Sequence, residues 1–345
     1  MKDKYFEDVE LVIDSIKNIN NLYYKSILIT GASGMICSSV VEILLYLNEK
    51  RNANIKIFLA GRNKERMCNR FALYEEGEDF TFIQYDATKN DFKNDFKFDY
   101  IIHGASNANP NMYKTQPVET MLANVVGLNA LLDFAVNNNV KRVLYISSSE
   151  VYGNKDELDP YDENDYGYLD ILNDRASYPS SKRAAETLCV AYSNEYKIET
   201  VIVRPGHIYG PTILKSDNRA SASFTRDVIE GRNILMKSAG SQLRSYCYTM
   251  DCASAILSVL LNGENKNAYN ISNKNSIVTI REFAEMLASL TGNKIEFERP
   301  TDADVKSFNL MSNSSLTSQK IEEIGWEAKF DLETGCRHTI KLIKE

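Results

Sequence analysis

Histidine is scarce in this chain: three residues in 345, at positions 103, 207 and 338, with no HxxxH or HExxH spacing. The common zinc arrangements are therefore missing, and no metal site is expected. The six cysteines, at 37, 68, 189, 247, 252 and 336, form no C-x-x-C pair. That pattern fits reduced, buried thiols in a cytoplasmic protein. No basic run stands out: 40 Lys and Arg face 47 Asp and Glu, a formal net charge of −7, so nucleic acid is not an expected partner. Long apolar runs are absent too. The longest, residues 40–47 and 253–261, fall far short of the roughly 20 residues needed to span a bilayer. The stretch MKDKYFEDVELVIDSI is acidic where a signal peptide would be basic, so no membrane partner is expected either.

What is present is an alternation of elements. Phe6, Val9, Val12, Ile13 and Ile16 recur at helical spacing before an asparagine-rich break, which predicts an amphipathic helix within 5–24, added in front of the main fold. Apolar strands follow at 26–30, 55–60, 80–85, 100–103, 142–147 and 199–203. Between them lie helical segments at 38–47, 63–74, 117–137 and 181–196. Continuous apolar strands separated by helices predict an α/β fold, a Rossmann-type doubly wound parallel sheet. Beyond Pro205, Gly206, Gly210 and Pro211 the alternation loosens, as expected for a smaller C-terminal substrate-binding lobe over the carboxyl edge of the sheet. The resulting division is an N-terminal helical extension at 1–24, a dinucleotide-binding domain at 25–204 and a lobe formed mainly by 205–345.

The first strand runs into TGASGMIC. Gly31 and Gly34 stand in G-x-x-G spacing where a dinucleotide loop needs a tight turn and close backbone approach, and the helix that follows turns its amino terminus to a pyrophosphate. Cys37 occupies the slot of a third glycine. Cysteine is small and accepts burial, so a working loop is expected, with Gly31, Ser33, Gly34, Met35 and Ile36 at the cofactor. The second strand ends in FLAGRN without the carboxylate that would meet the ribose hydroxyls. Arg62 stands nearby to meet a 2′-phosphate, so the reading leans to NADP over NAD. Asp86, ending the third strand, is placed to meet the adenine amino group.

SYPSSKRAAETL supplies Tyr178 and Lys182, four apart at a helix start and hence on one face. A tyrosine ordinarily keeps its proton to about pH 10, and a neighbouring ammonium and a cationic nicotinamide would favour the phenolate and make it a usable base. Ser148, in YISSSEVYG, is positioned to share the same substrate oxygen.

Taken in order, TGASGMI, DYIIHGAS, NVVGLNALLDFA, VLYISSSEVYG, YPSSKRAAETL, VIVRPGHIYGP and LRSYCYTMDCASAI resemble the extended short-chain dehydrogenases/reductases of the nucleotide-sugar epimerase/dehydratase group, over about residues 25–335. The resemblance implies a tightly held NAD or NADP that takes a hydride from the sugar C4 and usually returns it. Tyr178 would remove the C4 hydroxyl proton with Ser148 assisting, and Lys182 would hold the nicotinamide ribose and depress the tyrosine pKa. Ala105, within 103–106, and Asn124 would line the cofactor groove. Arg244 would meet the nucleotide diphosphate, and Ser149 and His207 the sugar. Glu150 leans the reading towards UDP-glucuronate decarboxylases or sugar 4,6-dehydratases, because a carboxylate beside the ring can move a C5 proton or position the departing group.

A nucleotide-sugar 4-epimerase remains an alternative. So does a catalytically silent dinucleotide-binding module, favoured only by the altered third glycine and the extra helix. A simple carbonyl reductase is disfavoured by Arg244 and the long lobe. The acidic, tyrosine-rich segment 154–176 is expected on a solvated flap, with a lid role open. The family's usual pairing through the helices at 117–137 and 181–196 predicts a homodimer.

Overall fold

Ser26–Thr30 (β1) carries Ile-Leu-Ile between polar ends, apolar on both faces, and such a strand is stable only where both faces are covered. The computed structural model, which describes residues 2–344 apart from 109, 156–158, 174, 215 and 302–310, places β1 at the centre of a parallel sheet. Its neighbours are β2 (Lys56–Gly61), β3 (Thr81–Gln84), β4 (Tyr100–His103), β5 (Arg142–Ile146) and β6 (Glu199–Pro205). Helices α1 (Lys2–Ile13), α2 (Met35–Arg51), α3 (Lys64–Arg70), α4 (Pro110–Thr115), α5 (Pro117–Asn137) and α6 (Ser177–Tyr196) precede or connect them.

The chain then leaves the sheet for β7 (His207–Tyr209), α7 (Ala220–Ile229), β8 (Ile234–Met236) and β9 (Leu243–Tyr248). It returns through α8 (Thr249–Asn262) to add β10 (Asn267–Ile271) beside β6. The order across the seven strands is β3-β2-β1-β4-β5-β6-β10, every pair parallel. The direction of winding reverses between β1 and β4, and a crevice opens there at the carboxyl ends. The lobe is completed by β11 (Ile277–Thr279), α9 (Ile280–Thr291), β12 (Ile295–Phe297), β13 (Asn313–Ser314), α10 (Gln319–Glu323) and α11 (Leu332–Lys344). β9 is its hub, paired with β7, β11 and β13.

Within the chain past 205, α8 and β10 return to the large sheet rather than to the lobe. α8 is buried along almost its whole length, as such a return requires. Two expectations need correction. The catalytic helix starts at Ser177, not 181. Pro179 falls in the first turn, where the N–H it lacks has no intrahelical partner anyway. Residues 1–24 are not an appendage: α1 ends at Ile13, and a 3₁₀ turn covers Ile19–Leu22. Phe6, Val9, Val12, Ile13 and Ile16 are all buried in the main core. The carboxylate of Asp8 is fully buried. It accepts from the Tyr248 hydroxyl at 2.5 Å and meets His338 Nδ1 at 2.6 Å, so α1 is tied to both β9 and α11.

The segment 154–176 is likewise only partly a flap, and its residues 156–158 and 174 lie outside those described. Tyr161 and Glu163 are buried. Glu163 Oε1 accepts from the backbone N–H of Asn270 at 2.7 Å, and Tyr161 exchanges backbone bonds with Ser315 and Thr317. The rest of it is largely solvated: Tyr166, Tyr168, Ile171 and Leu172 are exposed, as are Asp159, Asp162, Asn164, Asp170 and Asn173.

Phe6 packs edge-on against Tyr46, ring centroids 5.0 Å apart. Phe6→Ala is expected to cost about 3 kcal/mol in urea unfolding, the loss typical of a buried aromatic. If the unfolding midpoint did not move, α1 would be no part of the core.

Candidate active site

The crevice at the carboxyl ends is a cavity of about 670 Å³ running from β2 and β3, past the β1 turn, to the start of α6. That is within the ordinary range for a cofactor or ligand site. Its floor depends on two glycines. Gly31 has φ +69°, a conformation that suits glycine, and a Cβ there would lie 2.6 Å from the carbonyl oxygen of Gly104. Gly104 in turn has no room for a side chain, because Cys37 Sγ lies 2.4 Å from where its Cβ would be. The cysteine in the third-glycine slot thus fills space that a second glycine, on the neighbouring strand end, leaves open.

Ser33, Gly34, Met35 and Ile36 line the cavity where α2 begins, and α2 has no acidic residue in its first turn. A helix amino terminus facing a cavity, with backbone N–H groups and no carboxylate, fits a pyrophosphate. At the far end Gly61, Arg62, Asn63 and Arg66 form the wall with Asp86 and Thr88. Asp86 Oδ1 already accepts from the Thr88 N–H at 3.0 Å and its hydroxyl at 2.8 Å. The residues present fit a dinucleotide.

The other end carries the chemistry. Ser148, Ser149, Glu150, Tyr178, Lys182 and His207 all line it, as does Ala105 nearer the middle. α6 presents Tyr178 and Lys182 one turn apart. Lys182 Nζ donates to the Ile146 carbonyl at 2.7 Å and lies 5.7 Å from the centre of the Tyr178 ring. The Ser148 hydroxyl and the Tyr113 phenol lie beside Tyr178, and both favour its ionised form.

The lowering expected of Tyr178 rests on the ammonium and a cationic nicotinamide together; the protein's own groups, on balance, act the other way. Burial, then the neighbouring Glu150, pushes Tyr178 up to about 12. Burial also brings Lys182 down to about 7. A desolvated lysine is a weak source of positive potential, so it does not overcome the low dielectric around the phenol. Burial raises Glu150 as well, opposed by Arg175, whose guanidinium lies 3.5 Å from Glu150 Oε1, and by Arg244. His207 stays neutral through burial and the nearby arginines 244 and 219. Its Nδ1 is buried and meets no hydrogen-bond partner among the described residues, which points to a ligand atom as its partner.

Two expected contacts are not at the cavity. Asn124 is fully buried and its Nδ2 donates to Ser181 Oγ at 2.9 Å, so it braces α5 against α6 behind the wall. Arg244 is also buried, donating to the carbonyls of Leu243 and Met311 at 2.8 and 3.0 Å. β9 turns it inward, and it acts on the site through its field on Glu150 and His207. The cation that does line the substrate end is Arg219, bonded to Asp217.

Sequence reading missed Arg219, Arg175 and Tyr113. The first lies in an irregular stretch and the second in the segment before α6. The third sits on a helix, α4, of only six residues, too short for periodicity to reveal.

With this geometry in place, comparison is informative. The model for the NAD dependent epimerase/dehydratase family matches residues 27–272. A UDP-glucuronic acid decarboxylase 5 from Arabidopsis thaliana is 30% identical over 311 residues, 90% of this chain and 86% of that protein. A UDP-glucuronic acid decarboxylase 1 from Danio rerio is 28% identical over 332 residues, 94% and 74% respectively. Among solved structures, a UDP-glucose 4-epimerase from Thermotoga maritima, with UDP-glucose, superposes with a TM-score of 0.77 at 21% identity, covering 92% of this chain and 98% of that one. A dTDP-glucose 4,6-dehydratase from Bacillus anthracis, in complex with NAD, gives 0.76 at 21%, covering 92% and 96%. The chain belongs to the NAD dependent epimerase/dehydratase family, and it is an enzyme of that kind.

The Cys37–Gly104 pairing is testable by a double-mutant cycle. Gly104→Ala should weaken NADH binding, read by fluorescence, about tenfold or more, since its methyl meets the buried Cys37 Sγ and the Ile146 side chain. Cys37→Gly should leave affinity within about threefold while costing roughly 1 kcal/mol as a glycine inside a helix. Combining the two should restore part of the lost affinity; strict additivity would mean that the two positions are independent.

Proposed function

We propose that the protein decarboxylates UDP-glucuronate through transient oxidation at C4. The observation that carries this reading is Glu150, a buried carboxylate on the same wall as Ser148 and Tyr178, in a chain similar over nine-tenths of its length to UDP-glucuronic acid decarboxylases. The bound dinucleotide supplies the hydride acceptor and later the hydride donor. Tyr178 accepts the C4 hydroxyl proton, helped by the Ser148 hydroxyl, and Lys182, one turn further along α6, would hold the nicotinamide ribose. The 4-keto acid so formed is a β-keto acid. Its C5–carboxyl bond breaks with the electron pair left on C5, carbon dioxide departs, and a proton is delivered to C5. Glu150, whose carboxyl burial pushes above the usual carboxylate range, is the group placed to deliver it. Tyr178 then returns its proton to O4 as the hydride comes back. His207 Nδ1 and Arg219 complete the polar wall for sugar and phosphate.

For the cofactor, the reading favours NADP. β2 ends without a carboxylate, and Arg62 and Arg66 line the adenosine end, where a 2′-phosphate would find two guanidinium groups. The assembly proposed is a homodimer formed through α5 and α6. α5 presents Val118, Met121 and Leu122 at 67, 44 and 37% exposure, an apolar stripe on a helix whose opposite side is core.

Incubation with UDP-glucuronate, loaded in turn with NAD and NADP, should yield a product lighter by carbon dioxide, faster with NADP. Tyr178→Phe should slow it about a hundredfold or more, and Glu150→Gln should let a 4-keto species build up. Loss of water from dTDP-glucose, or an unchanged mass with a new retention time, would instead identify a dehydratase or an epimerase. Light scattering should give twice the chain mass at micromolar concentration, and Met121→Glu should give a monomer; a monomeric wild type would refute the interface.

A further inference from the structure

Tyr113 is the one aromatic ring stacked on the catalytic tyrosine among the described residues. The two rings lie almost parallel, centroids 4.4 Å apart and planes 12° from each other. Tyr113 is buried and lines the cavity beside Tyr178, and its phenol favours the ionised form of Tyr178. Neither the cofactor loop nor the proposed sugar contacts account for a second phenol at this place.

We propose that Tyr113 is a positioning residue for Tyr178: its hydroxyl donates to the Tyr178 oxygen while its ring holds that of Tyr178 by stacking, so that the phenolate accepts two hydrogen bonds, one from Ser148 and one from Tyr113. Of the two phenols Tyr113 is the one that keeps its proton, since burial, then Tyr178 and Glu150, all oppose its ionisation. A hydrogen bond donated to the charged form of a base stabilises that form. The other groups facing the pair are Glu150, from the turn after β5, and Arg175, ahead of α6. Arg219 lies before α7, and Lys182 and Tyr145 complete the surroundings. Among them Glu150, when ionised, disfavours the phenolate, and a second donor offsets it.

This inference rests on Tyr178 being the base of the proposed reaction, so the test is arranged to read without turnover. Protein loaded with oxidised dinucleotide is titrated, and the phenolate absorbance of Tyr178 is obtained by difference from Tyr178→Phe, in the wild type and in a Tyr113→Phe background. Losing one donor to a charged acceptor should move the Tyr178 titration up by about one pH unit. The rising acid limb of kcat/KM with UDP-glucuronate should move by the same amount, leaving activity about tenfold lower at pH 7 and recovering at higher pH. Tyr113→Leu, which removes ring and donor together, should shift the titration at least as far.

An unshifted titration in both variants overturns the proposal, as does a loss of activity that is equal at every pH. A wild-type difference spectrum without any titrating phenolate overturns the role of Tyr178 itself. A shifted titration without turnover of any nucleotide sugar would uphold Tyr113 and refute only the choice of substrate.

Discussion

The site rests on one steric constraint: two backbones must come within contact distance where β1 and β4 end. Gly31 and Gly104 meet there with no room for a Cβ on either. That approach lets the turn after β1 fold tightly enough for α2 to begin under the cavity. It also sets the separation between the cofactor loop and the strand end that leads to Ala105. Cys37 belongs to the same contact. A third glycine in the helix would leave a void beneath Gly104, and a larger residue would push the strands apart.

A second theme is that this site is built from ionisable groups whose charge burial suppresses. Tyr178 is driven up, Lys182 down, Glu150 up, and His207 held neutral. In such surroundings a proton is held by whichever partner has the more favourable local field, and bringing in one more charge changes the ranking of all four. The pyridinium of an oxidised nicotinamide and the phosphates of a nucleotide sugar are charges of that kind. The protein on its own therefore keeps its base protonated, and reactivity depends on the cofactor and substrate being in place.

Much of this was legible in the sequence where a local rule and the global fold agree. The central strands are apolar on both faces, and the 117–137 helix was located to the residue. Ser148, Glu150, Tyr178 and Lys182 were found because short motifs fix their spacing along single elements, and all four line the cavity. What was not legible depends on which way an element faces. Asn124 and Arg244 lie on the right helix and strand, but α5 turns the one toward Ser181 and β9 turns the other into the protein. The return of α8 and β10 to the sheet is a matter of long-range pairing, and apolar content alone gives it no address. The start of α6 was misplaced by a proline whose missing N–H costs nothing in a first helical turn.

The clasp at Asp8 has a bearing on how the protein is made. One carboxylate from α1 is held by Tyr248 at the end of β9 and by His338 in α11, segments separated from it by 240 and 330 positions. During synthesis α1 leaves the ribosome long before either partner exists, while α2, on which Phe6 packs, follows soon after it. The Rossmann half can begin to assemble around β1 to β6 with the Asp8 contacts still unmade. Those contacts close only when the lobe is complete, and they join the sheet to it.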